Sequence, residues 1–134
     1  MDKKYREDIL SGKTVKLHTG CGGIYIVVNF SNRRPYEVLI SAGKAGGCAA
    51  SQAETLGRLI SLNLQAGVVI ADIVKQLKNI RCSSPYYMKD ENKIFSCADA
   101  VAKALQKFDI VPDEYFQPPK EDSESKENNK PQKD

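Results

Sequence analysis

The chain has no tryptophan, a single histidine (His18), and no two of its four cysteines close enough to make a CxxC pair. With one histidine and no serine or acid at a matching spacing, a Ser-His-Asp triad has no support. Without paired cysteines, the usual ligand spacing of zinc ribbons and knuckles is missing. No apolar run approaches the ~20 residues of a membrane-spanning helix, and MDKKYREDIL at the N-terminus lacks a signal-peptide core. The expectation is a cytoplasmic protein with no membrane partner. A large excess of either charge is also lacking. The net charge is +3, so the chain tolerates a phosphate-bearing ligand but falls short of a dedicated duplex-DNA binder. Nor does any hydrophobic residue follow Pro119.

What is present is one domain's worth of chain, 134 residues, enough for a single hydrophobic core. Residues 1–12 form a charged lead-in, 13–117 the domain, and 118–134 a polar tail too poor in apolar surface to offset the entropy of ordering, hence disordered. Val15 and Leu17 share one face of a half-buried strand, alternating with Lys16 and His18. His18-Thr19-Gly20-Cys21-Gly22-Gly23 reads as a turn. Ile24–Phe30 (IYIVVNF) is β-branched and aromatic, and Tyr36–Ala42 (YEVLISA) gives a third strand after a polar turn tipped by Arg33 and Arg34.

Helical periodicity then takes over. A helix at about 49–65, ended by Gly67, turns Leu56, Leu59, Ile60, Leu62 and Leu64 to the core and leaves Arg58, Asn63 and Gln65 wetter. A second helix covers Val68–Ile80, and 83–95 is a loop with room for a short hairpin. A third helix covers Ala98–Phe108, with Ser96 as N-cap and Asp99 in the favourable first turn. The fold class is therefore α+β, a small antiparallel sheet of about three strands covered on one face by three helices.

Two groups of residues carry chemistry. Cys21, Cys48, Cys82 and Cys97 all sit at element ends rather than on apolar faces. If those ends converge, four thiolates make a closed, structural zinc site. The same cysteines also suit redox exchange, Cys48 and Cys97 being placed at helix N-termini that stabilise a thiolate, or inert packing beneath loops. The turn Gly43-Lys44-Ala45-Gly46-Gly47 joins a strand to a helix N-terminus, so Lys44, Gly46 and Gly47 are candidates for a nucleotide or phosphate contact. It is not a Walker A loop, and the glycines also serve simply to permit a tight turn. His18 is a weaker metal candidate beside Cys21. Tyr36, Tyr86 and Tyr87 are candidates for base stacking. Glu54 and Asp99 need no catalytic role to favour a first turn.

The order of Gly20-Cys21-Gly22 into IYIVVNF, then YEVLISAGKAGGCAASQAETLGRLISL, IVKQLKNIRCSSP and SCADAVAKAL closely resembles the TSCPD domain. That domain stands at the C-terminal end of adenosylcobalamin-dependent (class II) ribonucleotide reductases and also as small free-standing proteins. The resemblance covers about 10–108, and all four cysteines fall on family cysteine positions. It implies a link to deoxyribonucleotide synthesis. It does not imply a reductase, because the catalytic barrel with its thiyl-radical cysteine and cobalamin site has no counterpart here. No autonomous turnover and no cobalamin on this chain are expected. Three functions follow as expectations. The first is a non-catalytic accessory domain with a four-cysteine metal site and a basic glycine-rich face for a nucleotide, a nucleic acid or a reductase catalytic subunit. The second is a thiol redox partner of a reductase. The third is a nucleotide-sequestering homo-oligomer.

Overall fold

The computed structural model describes residues 5–42, 47–87 and 93–116. Lys44 and Gly46 of the glycine turn, and the polar tail, lie outside the described residues. The alternation in the first third of the chain builds an antiparallel meander of β1 (Ser11–Thr19), β2 (Gly22–Ser31) and β3 (Arg34–Ala42), with β2 in the middle. Because side chains alternate across a strand, Ile24, Ile26, Val28 and Phe30 all fall on one face. There they meet Val15 and Leu17 of β1 and Val38 and Ile40 of β3. Ile24, Ile26 and Val28 are completely buried. Each such side chain contributes roughly 1.5–3 kcal/mol of apolar burial.

The opposite face carries Tyr25, Val27 and Leu39 alongside Lys16 and Thr14. At one end of it Arg6, from the lead-in, grips Glu37 through two 2.9 Å bonds, and Asn29 donates a third at 2.7 Å. The Arg6 guanidinium holds the Glu37 carboxyl below its ordinary range, against the opposing effect of burial.

The 18-residue helix α1 (Cys48–Gln65) follows β3 and lies antiparallel along its outer edge. The Ser61 hydroxyl accepts from the Val38 amide at 2.9 Å and lies 3.1 Å from the Val38 carbonyl. A helix thereby covers backbone groups that an open sheet edge would leave unpaired. Gly57 makes the close approach feasible, since a Cβ there would come within 3.1 Å of the Val38 carbonyl oxygen. This corrects the expected helix face. The buried stripe is Ala53, Gly57, Ile60 and Leu64, while Leu59 and Leu62 are about half exposed, 54% and 49%. A helix seated tightly on a strand edge buries a narrower stripe than one lying across a sheet.

After the turn at Gly67 comes α2 (Ile70–Leu77), shorter than expected at both ends. Lys78 is already extended, and Asn79 adopts a left-handed φ of 67°. A small hairpin of β4 (Tyr86–Tyr87) and β5 (Lys93–Ile94) occupies the expected loop. It leads to α3 (Cys97–Leu105), whose N-cap is Ser96, its hydroxyl accepting from the Asp99 amide at 3.0 Å. α3 packs on α2 and across β1 and β2, so Ala100, Val101, Ala104 and Leu105 close the core. Two 3-10 turns, Gln106–Phe108 and Asp113–Phe116, bring Phe108 and Phe116 against Phe30, with ring centroids 5.9 and 5.4 Å away.

Candidate functional site

Both the β1–β2 turn and the end of β3 lie at the same end of the sheet, since Thr19 pairs with Gly22 and Ala42 with Ile24. α1 runs back from that end, so its first residue, Cys48, begins there too. The segment before α3 is drawn to the same corner. All four cysteines therefore lie toward one end of the domain.

Thr19 organises the corner. Its hydroxyl donates to the Gly22 carbonyl at 2.8 Å and accepts from the Cys21 amide at 3.2 Å, fixing the turn that carries Cys21. The Cys97 Sγ, at the first residue of α3, points to the same hydroxyl at 3.9 Å. Gly20 lets this turn press on the segment after Cys82. A Cβ there would lie 1.7 Å from the Ser84 carbonyl oxygen, so no other residue fits without backbone movement. Cys82 is held by its own amide, which donates to the Phe95 carbonyl at 2.9 Å, and its Sγ accepts from the Ser84 amide at 3.4 Å.

Cys97 is half-buried, and the three other cysteines are exposed. Burial pushes the Cys97 thiol above its ordinary range. The Thr19 hydroxyl works the other way, while Cys21 and Cys82 add to the rise. Cys21 and Cys82 thus each come within electrostatic reach of Cys97. Cys48 sits at the exposed start of α1, where the Ser51 hydroxyl donates to its carbonyl at 3.0 Å. Among the described residues, no group of three or more histidine, cysteine, aspartate or glutamate side chains is gathered to hold a metal ion. His18 alternates to the face opposite Thr19, its ring 6.0 Å from that of Tyr86.

Asp99 holds the scaffold behind this corner, beyond its favourable place in the first turn of α3. It is fully buried and accepts from the Asn79 amide at 2.8 Å, the Phe95 amide at 2.9 Å and the Lys103 ammonium at 2.6 Å. Burial alone would raise its pKa. Lys103 and the two amides outweigh that and hold it below the ordinary aspartate range. One carboxylate therefore ties the end of α2 and the strand before Cys97 to α3. An asparagine suited to left-handed backbone, 20 residues before an acid in a helix's first turn, is the only local signal of it.

Of the predicted anion contact, Gly47 alone is described. It precedes α1 with φ 102°, and the helix begins without a side-chain cap. A Cβ added there would meet none of the described residues within 4 Å.

A family model described as the TSCPD domain matches residues 3–109, the span that contains both the sheet and the cysteine corner. The chain belongs to the TSCPD domain family. Its match is slightly wider than the motifs suggested, taking in the lead-in that supplies Arg6. No curated protein and no solved structure matches the chain. Family membership keeps the link with ribonucleotide reductases that the motifs imply. No helix among the described residues of this TSCPD domain is long and apolar enough to cross a membrane.

Proposed function

We propose that this TSCPD domain is a non-catalytic accessory domain of ribonucleotide reduction, whose cysteine corner takes a structural zinc ion. Cys21, Cys82 and Cys97 would supply three thiolates and Cys48 the fourth. The observation that carries this reading is the approach of three cysteine segments at one corner: the Thr19 hydroxyl meets the Cys21 amide at 3.2 Å and the Cys97 Sγ at 3.9 Å, and Gly20 packs on Ser84, two residues after Cys82. The Cys97 thiol is half-buried there, and burial raises its pKa. An exchanging thiol is normally lowered in pKa by a cation or a helix N-terminus. Cys97, although it opens α3, is shifted the other way. A divalent cation would supply the missing positive charge and bind the thiolates outright. Thiolates are soft ligands that suit zinc, and a closed set of four leaves no open position for catalysis. The four segments would have to draw together around the ion, a common coupling of metal binding to local folding.

In this reading the exposed start of α1, with Lys44, Gly46 and Gly47, contacts a nucleotide or a partner such as a reductase catalytic subunit. A cytoplasmic location goes with that role. Titration of the reduced, metal-free chain with Co2+ tests the metal site. A thiolate-to-cobalt charge-transfer band saturating at one equivalent, with tetrahedral d–d intensity, is the expected result. Loss of the band in Cys21→Ser, Cys82→Ser and Cys97→Ser would assign the ligands. Absence of any band, together with ready formation of an intramolecular disulfide, would favour the redox partner instead.

A further inference from the structure

At the opposite end of β2 from the cysteines, the tip of the β2–β3 hairpin and the α1–α2 turn enclose a cleft of about 790 Å3. Small-ligand pockets fall in this range. Its floor is apolar, built from Leu64, Val68, Ile70 and Phe108, and its rim carries Asn32, Arg33 and Arg34. α2 begins on its wall without a side-chain cap.

The hairpin tip is an unusual place for arginine. Asn32 and Arg33 both have positive φ, 51° and 62°, as a two-residue hairpin turn of this twist requires. Glycine normally takes the second of these positions, because any Cβ is strained there. Here the strained position carries a cation instead, and strain of this kind gathers at ligand sites. Arg33, in the cleft's lining, makes two side-chain contacts. Asp113 lies 3.2 Å from its Nη1, with both side chains well exposed, and the Phe116 ring centroid is 5.6 Å away. An exposed pair of this kind contributes little and exchanges readily with a competing anion.

We propose that this cleft binds a small phosphate monoester with a ring body, of nucleoside-monophosphate size. Arg33 and Arg34, consecutive residues of the lining, outnumber the one acid there, Asp109, and supply guanidiniums of the kind that suit a dianionic phosphate. The apolar floor takes the ring, and Asp113 holds Arg33 in position until the phosphate displaces it. The site is separate from the cysteine corner and goes beyond the proposed function.

Calorimetric titration of the full chain with the four ribonucleoside monophosphates, ribose 5-phosphate and inorganic phosphate tests the assignment. At least one monophosphate with a ring body should bind in the micromolar to low millimolar range, tighter than inorganic phosphate by tenfold or more. Arg33→Gly relieves the backbone strain, so its melting temperature should hold or rise while the affinity falls at least tenfold. Asp113→Asn should tighten binding two- to fivefold. Cobalt stoichiometry should be the same in all three proteins, which separates this site from the cysteines. No binding by wild type at millimolar concentrations overturns the proposal, as does equal affinity for inorganic phosphate. Unchanged affinity in Arg33→Gly overturns it too.

Discussion

Replacing Asp99 with asparagine keeps the shape of the side chain and removes its charge. Three donors converge on this fully buried carboxylate, two amides and the Lys103 ammonium. In the variant one amide N–H meets an NH2 group instead of an oxygen, and Lys103 loses its counter-charge. A buried donor without an acceptor costs about 1–3 kcal/mol, and breaking one side of a buried ion pair about 3–5 kcal/mol. Lys103 is partly exposed at 27%, so its share is screened and the total comes to about 3 kcal/mol. For a domain of this size that is a fall of roughly 10 °C in Tm. Urea unfolding at pH 7 measures it, with an unchanged m-value showing that only stability has moved.

The sign with pH follows from the lowered carboxyl pKa. Asp99 stabilises fully above the unfolded aspartate value of about 3.9, and the contribution is lost as pH falls through the lower folded value. The gap between wild type and Asp99→Asn should therefore be constant near neutrality and close below about pH 4. Glu37 shifts in the same direction but is present in both proteins and cancels. A difference under about 1 kcal/mol at pH 7, or one that persists undiminished in acid, would refute the assignment of Asp99 as the clamp.

Gly20→Ala should destabilise by about 1–3 kcal/mol or more, because the new methyl meets backbone at Ser84 rather than a yielding side chain. The same variant should speed alkylation of Cys97, as the turn lifts from the corner; unchanged rates would separate the turn from the cysteines. Ser61→Ala should cost about 1–2 kcal/mol by leaving the Val38 amide and carbonyl on the β3 edge without their partner. Denaturant unfolding reads this directly, and a neutral result would mean that water replaces the hydroxyl at that edge.

The strands are legible in the sequence because alternation is a local property. Ile24, Ile26 and Val28 announce the buried face of β2 whatever the rest of the chain does. Ser96 is equally readable as a cap, since its bond partner is three residues away. The face of α1 is not. Leu59 and Leu62 look like core residues to any periodic count, yet the stripe is set by how closely the helix sits on the β3 edge, which depends on Gly57 and Ser61 meeting Val38. The early end of α2 likewise depends on Asp99 reaching Asn79 across 20 residues of sequence. The cysteines can be placed at element ends from sequence, but their common end depends on strand register and on the contact of Gly20 with Ser84. In sequence Arg33 and Arg34 read as a solvated hairpin tip, or as helpers of the glycine turn, from which the strand register puts them at the opposite end of the sheet. The left-handed backbone of Arg33 and its cleft are visible only once the α1–α2 turn is beside it.

Native mass spectrometry of the full chain, purified under reducing conditions without chelators, tests the central claim most directly. One zinc per chain, lost on chelation together with much of the thermal stability, is the result the cysteine corner predicts. A metal-free chain that keeps its stability and loses two hydrogens on mild oxidation would contradict it, and would make the corner a dithiol.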